Sequence, residues 1–107
     1  MIFKVNDKDY NLKMTTKGCV NCEARLGKNP INIFMEASDN RMPKIGDLMV
    51  ILHESLQPFN HGMKMEDVFK LYDEYCEGDG DLVSLIETLV GVFEEAGFLP
   101  KDSDEKN

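Results

Sequence analysis

The chain of 107 residues has a formal net charge of −8, and its length suits one domain whose hydrophobic core needs no disulfides. Its three cysteines are typical of a reducing compartment, and no stretch holds the roughly 18 apolar residues of a membrane span, so we expect a soluble cytoplasmic protein. Residues 58–107 have a net charge of −9 and residues 1–57 one of +1, which argues against nucleic-acid binding, because phosphates require clustered cations. The acidic half is either a solubilising surface or one that attracts a basic partner.

The first fourteen residues predict a β-hairpin. Ile2 to Val5 and Tyr10 to Met14 are rich in residues that favour strands, and the polar run from Asn6 to Asp9 is typical of a turn. Two strands alone are marginally stable, so the hairpin needs a cover of helices or the edge of another subunit.

A first helix is predicted from Thr15 or Thr16 to about Leu26, where a glycine can supply the left-handed stop. Cys19 and Cys22 form a Cys-x-x-Cys pair on one side of it. A structural zinc site requires four ligands, and a redox pair requires a thioredoxin-like setting, and neither requirement is met nearby. We therefore favour small buried helix residues over a metal or redox role.

Two further helices follow. Asn29 and Pro30 predict the cap and first residue of a short helix that ends at Ser38. Pro43 starts a longer helix that must end before Pro58. The apolar stripe of this second helix predicts that it is the most deeply buried one; the stripe comprises Ile45, Leu48, Met49, Leu52 and Leu56.

The stretch from Met63 to Leu99 predicts two amphipathic helices joined by a turn over residues 78–81, in which Asp79 or Asp81 can cap the second helix. Since each helix has one apolar stripe, we expect the two to lie antiparallel and to bury each other. The predicted fold class is thus mainly α with a short N-terminal β-hairpin, or α+β. One domain, residues 1–99, would hold the hairpin (1–14) and a bundle of about five helices (15–99), and residues 100–107 would form a disordered acidic tail.

Recognisable catalytic motifs are missing from the sequence. It has no glycine-rich phosphate loop, no nucleophile elbow and no paired acid and base. The acid-rich run from Asp73 to Ser84 lacks the ligands of a calcium loop at the required positions. His53 is a lone histidine on a helix flank, where a surface or hydrogen-bonded role is commoner than metal binding. We therefore expect no enzymatic activity, no metal and no cofactor.

Three stretches, together with the order of the predicted elements, form a pattern that can be compared with known families. They are Cys22 to Gly27 after the hairpin, Gly62 to Tyr75 at the start of the fourth helix, and Glu95 to Phe98 at the end of the fifth. With them, the chain resembles the tail assembly chaperones of long-tailed phages and prophages, together with the related small tail-region protein of gene transfer agents. The resemblance runs from Tyr10 to Leu99. Around the first helix this chain departs from the bulkier apolar pattern of the relatives, with Gly18, Cys19 and Cys22.

The resemblance implies a non-enzymatic helper of virion assembly in the bacterial host cytoplasm. Such proteins bind the tape measure protein, bring tail tube subunits to it, and are left out of the finished particle. The implied partners are the tape measure protein and the tail tube protein, with homo-oligomers left open and with no nucleic acid or membrane. Many relatives also make a longer product by ribosomal frameshifting near the end of the gene, which only the nucleotide sequence can test here.

Several methionines suggest an adaptable binding surface, although core filling is an alternative use for them. We predict helix-in-groove binding between the last two helices and the helix from Pro43 to Leu56. The predicted partner-binding residues are Met49, Leu52, Met63, Met65, Phe69 and Tyr72. Two other functions remain as alternatives. The first is that of a small phage structural or adaptor protein of the head-tail connector type, which stays in the virion. The second is that of a DNA-binding regulator, which the acidic half disfavours.

Overall fold

A two-stranded antiparallel sheet precedes five helices. The structure, a computed structural model, describes residues 1–100; apart from Pro100, the predicted disordered tail lies outside the described residues. The predicted fold class, mainly α with an N-terminal hairpin, is confirmed. The elements are β1 (Ile2–Val5), β2 (Lys8–Asn11), α1 (Thr16–Leu26), α2 (Pro30–Ser38), α3 (Ile45–Leu56), α4 (Met65–Glu77) and α5 (Leu82–Glu95).

The hairpin turns in two residues rather than the predicted four. Val5 pairs with Lys8, and Asn6 in the turn has a φ of 55°. Asparagine tolerates this left-handed conformation, so the chain can reverse between Asn6 and Asp7. As a result β2 begins at Lys8 and not at Tyr10.

The predicted extension of the second strand to Met14 is wrong. The strand ends at Asn11, and the Leu12 amide makes one more hydrogen bond across the hairpin, of 2.8 Å to the Met1 carbonyl oxygen. The Lys13 amide instead donates a hydrogen bond of 3.0 Å to the carbonyl oxygen of Ser55 in α3. Leu12 and Met14, on either side of it, are buried. The segment thus covers the end of α3 and fixes the hairpin against the helices.

Side-chain caps begin three helices where the sequence predicts them. A side-chain oxygen accepts a hydrogen bond from a backbone N–H of the first turn in each case, which satisfies one of the donors that the helix leaves free. The pairs are Thr15 with Gly18 at 2.9 Å, Asn29 with Ile31 at 2.9 Å, and Asp81 with Ser84 at 2.8 Å.

The central element is α3, and not the pair of helices at the C-terminal end. It packs against α1, α4 and α5, whereas α4 and α5 are not closely packed on each other. The prediction that α4 and α5 bury each other is therefore wrong. The physical reason is that α3 is apolar around most of its circumference, so it offers a face to each neighbour. Its fully buried residues include Leu48, Ile51, Leu52 and Leu56, whereas Ile45 at its start is exposed.

Small residues let α1 lie close to α3. Cys22 is fully buried, Cys19 is half-buried, and Gly18 is buried against Met14. A Cβ on Gly18 would lie 3.1 Å from the Met14 sulfur and 3.9 Å from the Glu54 carbonyl oxygen in α3, so a larger residue would require the Met14 side chain to move. For Cys22 the prediction of a small core residue agrees with the structure. None of the helices within residues 1–100 is long and apolar enough to cross a membrane.

Candidate partner-binding surface

The structure divides the six predicted partner-binding residues into buried and accessible ones. Met49 and Leu52 on α3 are 2% and 0% exposed, because α1, α4 and α5 surround that helix. A partner cannot reach them, and the prediction for these two residues is wrong. Core side chains fill the groove that was expected between α3 and the last two helices.

The accessible members lie on one flank of α4 and, for Met63, just before that helix. Met63 and Met65 are half-buried against the core, Tyr72 is half-buried too, and Phe69 is 48% exposed. Helical spacing adds the exposed Cys76 to this flank. We call Met65, Phe69, Tyr72 and Cys76, which recur at steps of four, three and four residues, the apolar stripe. The buried face of α4, with Val68 and Leu71, is adjacent to it, so the stripe lies at the edge of the core.

Aromatic packing holds the stripe in place at Tyr72. The Tyr72 ring centroid lies 5.9 Å from that of Tyr75, which lies 4.6 Å from that of Phe3 in β1. Burial raises the pKa of both tyrosines, and a hydrogen bond with Cys76 raises that of Tyr72 further. Both hydroxyls are therefore neutral at physiological pH, and Tyr72 offers a partner an apolar ring with a polar tip.

Carboxylates run beside the apolar stripe. Glu66, Asp73 and Glu77 are all exposed, and their steps of seven and four residues place them on one line along α4. We call these three residues the acidic stripe. The turn that follows adds Asp79 and Asp81. The Ser84 N–H hydrogen bond lowers the pKa of Asp81, so this carboxylate stays charged as it caps α5.

A second polar centre joins α1, α3 and the start of α4. The Arg25 guanidinium donates to Glu54 Oε2 at 2.8 Å and to His53 Nδ1 at 2.9 Å. Because arginine can only donate, His53 Nδ1 must accept, and its Nε2–H donates to the Met63 carbonyl oxygen at 2.7 Å. His53 is thus a hydrogen-bonded residue, which agrees with the expectation for it. The centre fixes the backbone just before α4 and so positions the apolar stripe.

This polar centre was not predicted from the sequence. Glu54 is only 9% exposed, and a charged residue in the helix predicted to be most buried was a signal, because a buried carboxylate requires a partner. What the sequence could not supply was the partner, Arg25, which lies 29 residues away. A groove of about 420 Å³ borders the centre and includes His53 and His61 in its lining.

The chain matches one protein family over residues 2–107, which includes the hairpin and all five helices. The chain belongs to DUF6096, a family of unknown function. The comparison with curated proteins gave no match, and the comparison with solved structures gave none either.

The Cys-x-x-Cys pair of this DUF6096 chain is poorly suited to chemistry. Burial, followed by the nearby Glu54 carboxylate, raises the pKa of Cys22 to about 12, and burial also raises that of Cys19. The thiolate is the form that binds metals and attacks electrophiles, so the raised pKa values disfavour both roles for these two thiols at neutral pH. Among the residues described, no group of three or more His, Cys, Asp or Glu side chains could hold a metal ion.

Proposed function

We propose that this chain is a non-enzymatic tail assembly chaperone of a long-tailed phage or prophage. It binds the tape measure protein and brings tail tube subunits to it during tail assembly. The proposal is supported by the resemblance from Tyr10 to Leu99 and by the order of the elements, a hairpin followed by five helices.

The apolar stripe on α4 is the observation that carries the proposal. It lies largely within Gly62 to Tyr75, one of the stretches on which the resemblance is based. Phe69 is 48% exposed there beside the half-buried Met65 and Tyr72, and aromatic side chains are enriched among the residues that contribute most to binding energy. A partner that covered this ring would gain the free energy of burying its exposed half.

The surrounding structure suits a chaperone of a long helical protein. A tape measure protein is amphipathic and aggregates when its apolar face is in water, so its helper needs an apolar strip within a charged exterior. On this chain Phe69 and Tyr72 supply the strip, and the other exposed carboxylates of the acidic half keep the complex in solution. An apolar face of a tape measure helix would pack along α4 across the ring of Phe69.

Co-expression with the tape measure protein of the same phage or prophage tests the proposal. We expect the tape measure protein to be insoluble alone and soluble, in a complex that can be purified, when this chain is present. Mass spectrometry of purified virions should then detect the tape measure protein but not this chain. If the chain is a stoichiometric part of mature virions, the adaptor function replaces the chaperone function.

A further inference from the structure

The α4 region has many more negative than positive charges. Residues 65–87 contain eight Asp or Glu side chains and a single cation, Lys70. The ion pairs found within residues 1–100 involve none of these eight carboxylates. Like charges at helical spacing repel each other, so this surface is less stable than a neutral one until positive charge is brought to it.

The two stripes of α4 run parallel and close together. The acidic stripe reaches from Glu66 to Glu77, a distance of about 16 Å at the rise of an α-helix. Phe69 and Tyr72 lie within that interval on the adjacent flank. A helix that packs on the apolar stripe must therefore place its own edge next to three carboxylates over about three turns.

We propose that the segment bound by the apolar stripe is a basic amphipathic helix, with Lys or Arg residues on the edge that faces Glu66, Asp73 and Glu77. This inference rests on the proposed function and adds the chemistry of the bound segment to it. A neutral helix would remove water from the carboxylates without replacing it, which costs free energy. Cations on that edge compensate for the lost water and also speed the encounter through attraction at long range.

The test is an array of overlapping 20-residue peptides that covers the tape measure protein of the same phage or prophage, probed with the purified full chain. We expect the bound peptides to combine apolar residues at helical spacing with a net positive charge. Isothermal titration of the strongest peptide should give a dissociation constant that rises with salt between about 50 and 500 mM, because screening weakens exposed charge pairs.

Charge reversal on the acidic stripe separates this inference from a general effect of net charge. The triple variant Glu66→Lys, Asp73→Lys and Glu77→Lys should bind that peptide about tenfold more weakly, since each exposed pair contributes a small amount. The control variant makes the same change in net charge in the hairpin turn, on α1 and just after α2, and it should bind as the unchanged chain does. Its substitutions are Asp7→Lys, Glu23→Lys and Asp39→Lys.

A peptide with its Lys and Arg residues changed to Glu should regain binding to the triple variant, and circular dichroism should show that both variants are folded. If the bound peptides are neutral or acidic, or if the two variants weaken binding equally, the inference is wrong and the chaperone function stands. If no part of the tape measure protein binds, in the array or as the full-length protein, both proposals fail.

Discussion

Replacing Phe69 by alanine tests the contact between α4 and a tape measure helix most directly. A phenylalanine side chain buries about 200 Å² when it is fully covered, and Phe69 is 48% exposed, so a partner can remove about 100 Å² from water. At about 25 cal/mol per Å² this area corresponds to about 2.5 kcal/mol. Alanine retains part of it, so we expect a loss of about 2 kcal/mol, which is about a 30-fold weaker complex.

Phe59 provides the matched control. It is 54% exposed in the loop between α3 and α4, and Phe59→Ala makes the same chemical change away from the apolar stripe. Isothermal titration against the tape measure protein, or against its strongest peptide, should give an unchanged dissociation constant for Phe59→Ala. If Phe69→Ala binds as tightly as the unchanged chain, or if both variants lose affinity equally, the apolar stripe is not the binding surface.

Three further predictions concern stability and are checked by urea denaturation. Arg25→Met should lower the free energy of unfolding by about 2 kcal/mol, which is less than the loss of a fully buried ion pair would cost, because the Arg25 side chain is 30% exposed. The double variant Arg25→Met with Glu54→Leu should recover most of this loss. A double variant as unstable as the single one contradicts this prediction. Gly46→Ala should stabilise the fold by about 0.5 kcal/mol, because the added methyl group lies in open space on α3. Gly80→Ala should destabilise the fold by about 1–3 kcal/mol, because its Cβ would lie 2.3 Å from the Tyr75 ring. Burial raises the pKa of Cys22 from 9.0 to about 12, so the thiol of the unfolded chain ionises at lower pH than that of the folded chain. The free energy of unfolding should therefore fall as the pH rises from about 9 towards 12. Cys22→Ala should show a smaller fall over that range, and an equal fall would show that Cys22 is not its cause.

Local signals allowed most element boundaries to be predicted. Asn29 and Pro30 start α2, and Asp81 caps α5, because each acts on backbone groups within three residues of itself. The start of α3 was placed two residues early, at Pro43, because proline favours the first helical turn but does not require it there. The correct starts and the error at α3 all depend on signals that act within a few residues.

The sequence could not show which of the helices that are distant along the chain pack on each other. The apolar stripes of α4 and α5 show that each helix must be covered, but a stripe does not identify what covers it. Both helices lie on α3, which is apolar on more sides than its heptad-like stripe suggested. For the same reason the pattern placed Met49 and Leu52 among accessible residues, whereas they are the centre of the core.

The candidate surface was predicted in part. Phe69 and Tyr72 were chosen for being apolar on α4, and spacing alone could not tell the middle of its buried face from the flank. The helix periodicity groups Val68 with Phe69 as neighbours on a broad stripe, but only Val68 is buried. The direction in which α3 approaches α4 decides between them, and that direction depends on contacts along the whole chain.

The bond from the Lys13 amide to the Ser55 carbonyl oxygen bears on how the chain folds as it is synthesised. The hairpin leaves the ribosome before the five helices, and the helix end that receives Lys13 emerges only after α1 and α2 have been made. Closing so long a loop costs entropy before any contact is gained, so we expect the sequence-neighbouring helices to assemble before the strands dock. The hairpin would then be among the last of these elements to reach its final position, and its open strand edges would be exposed to other chains in the meantime.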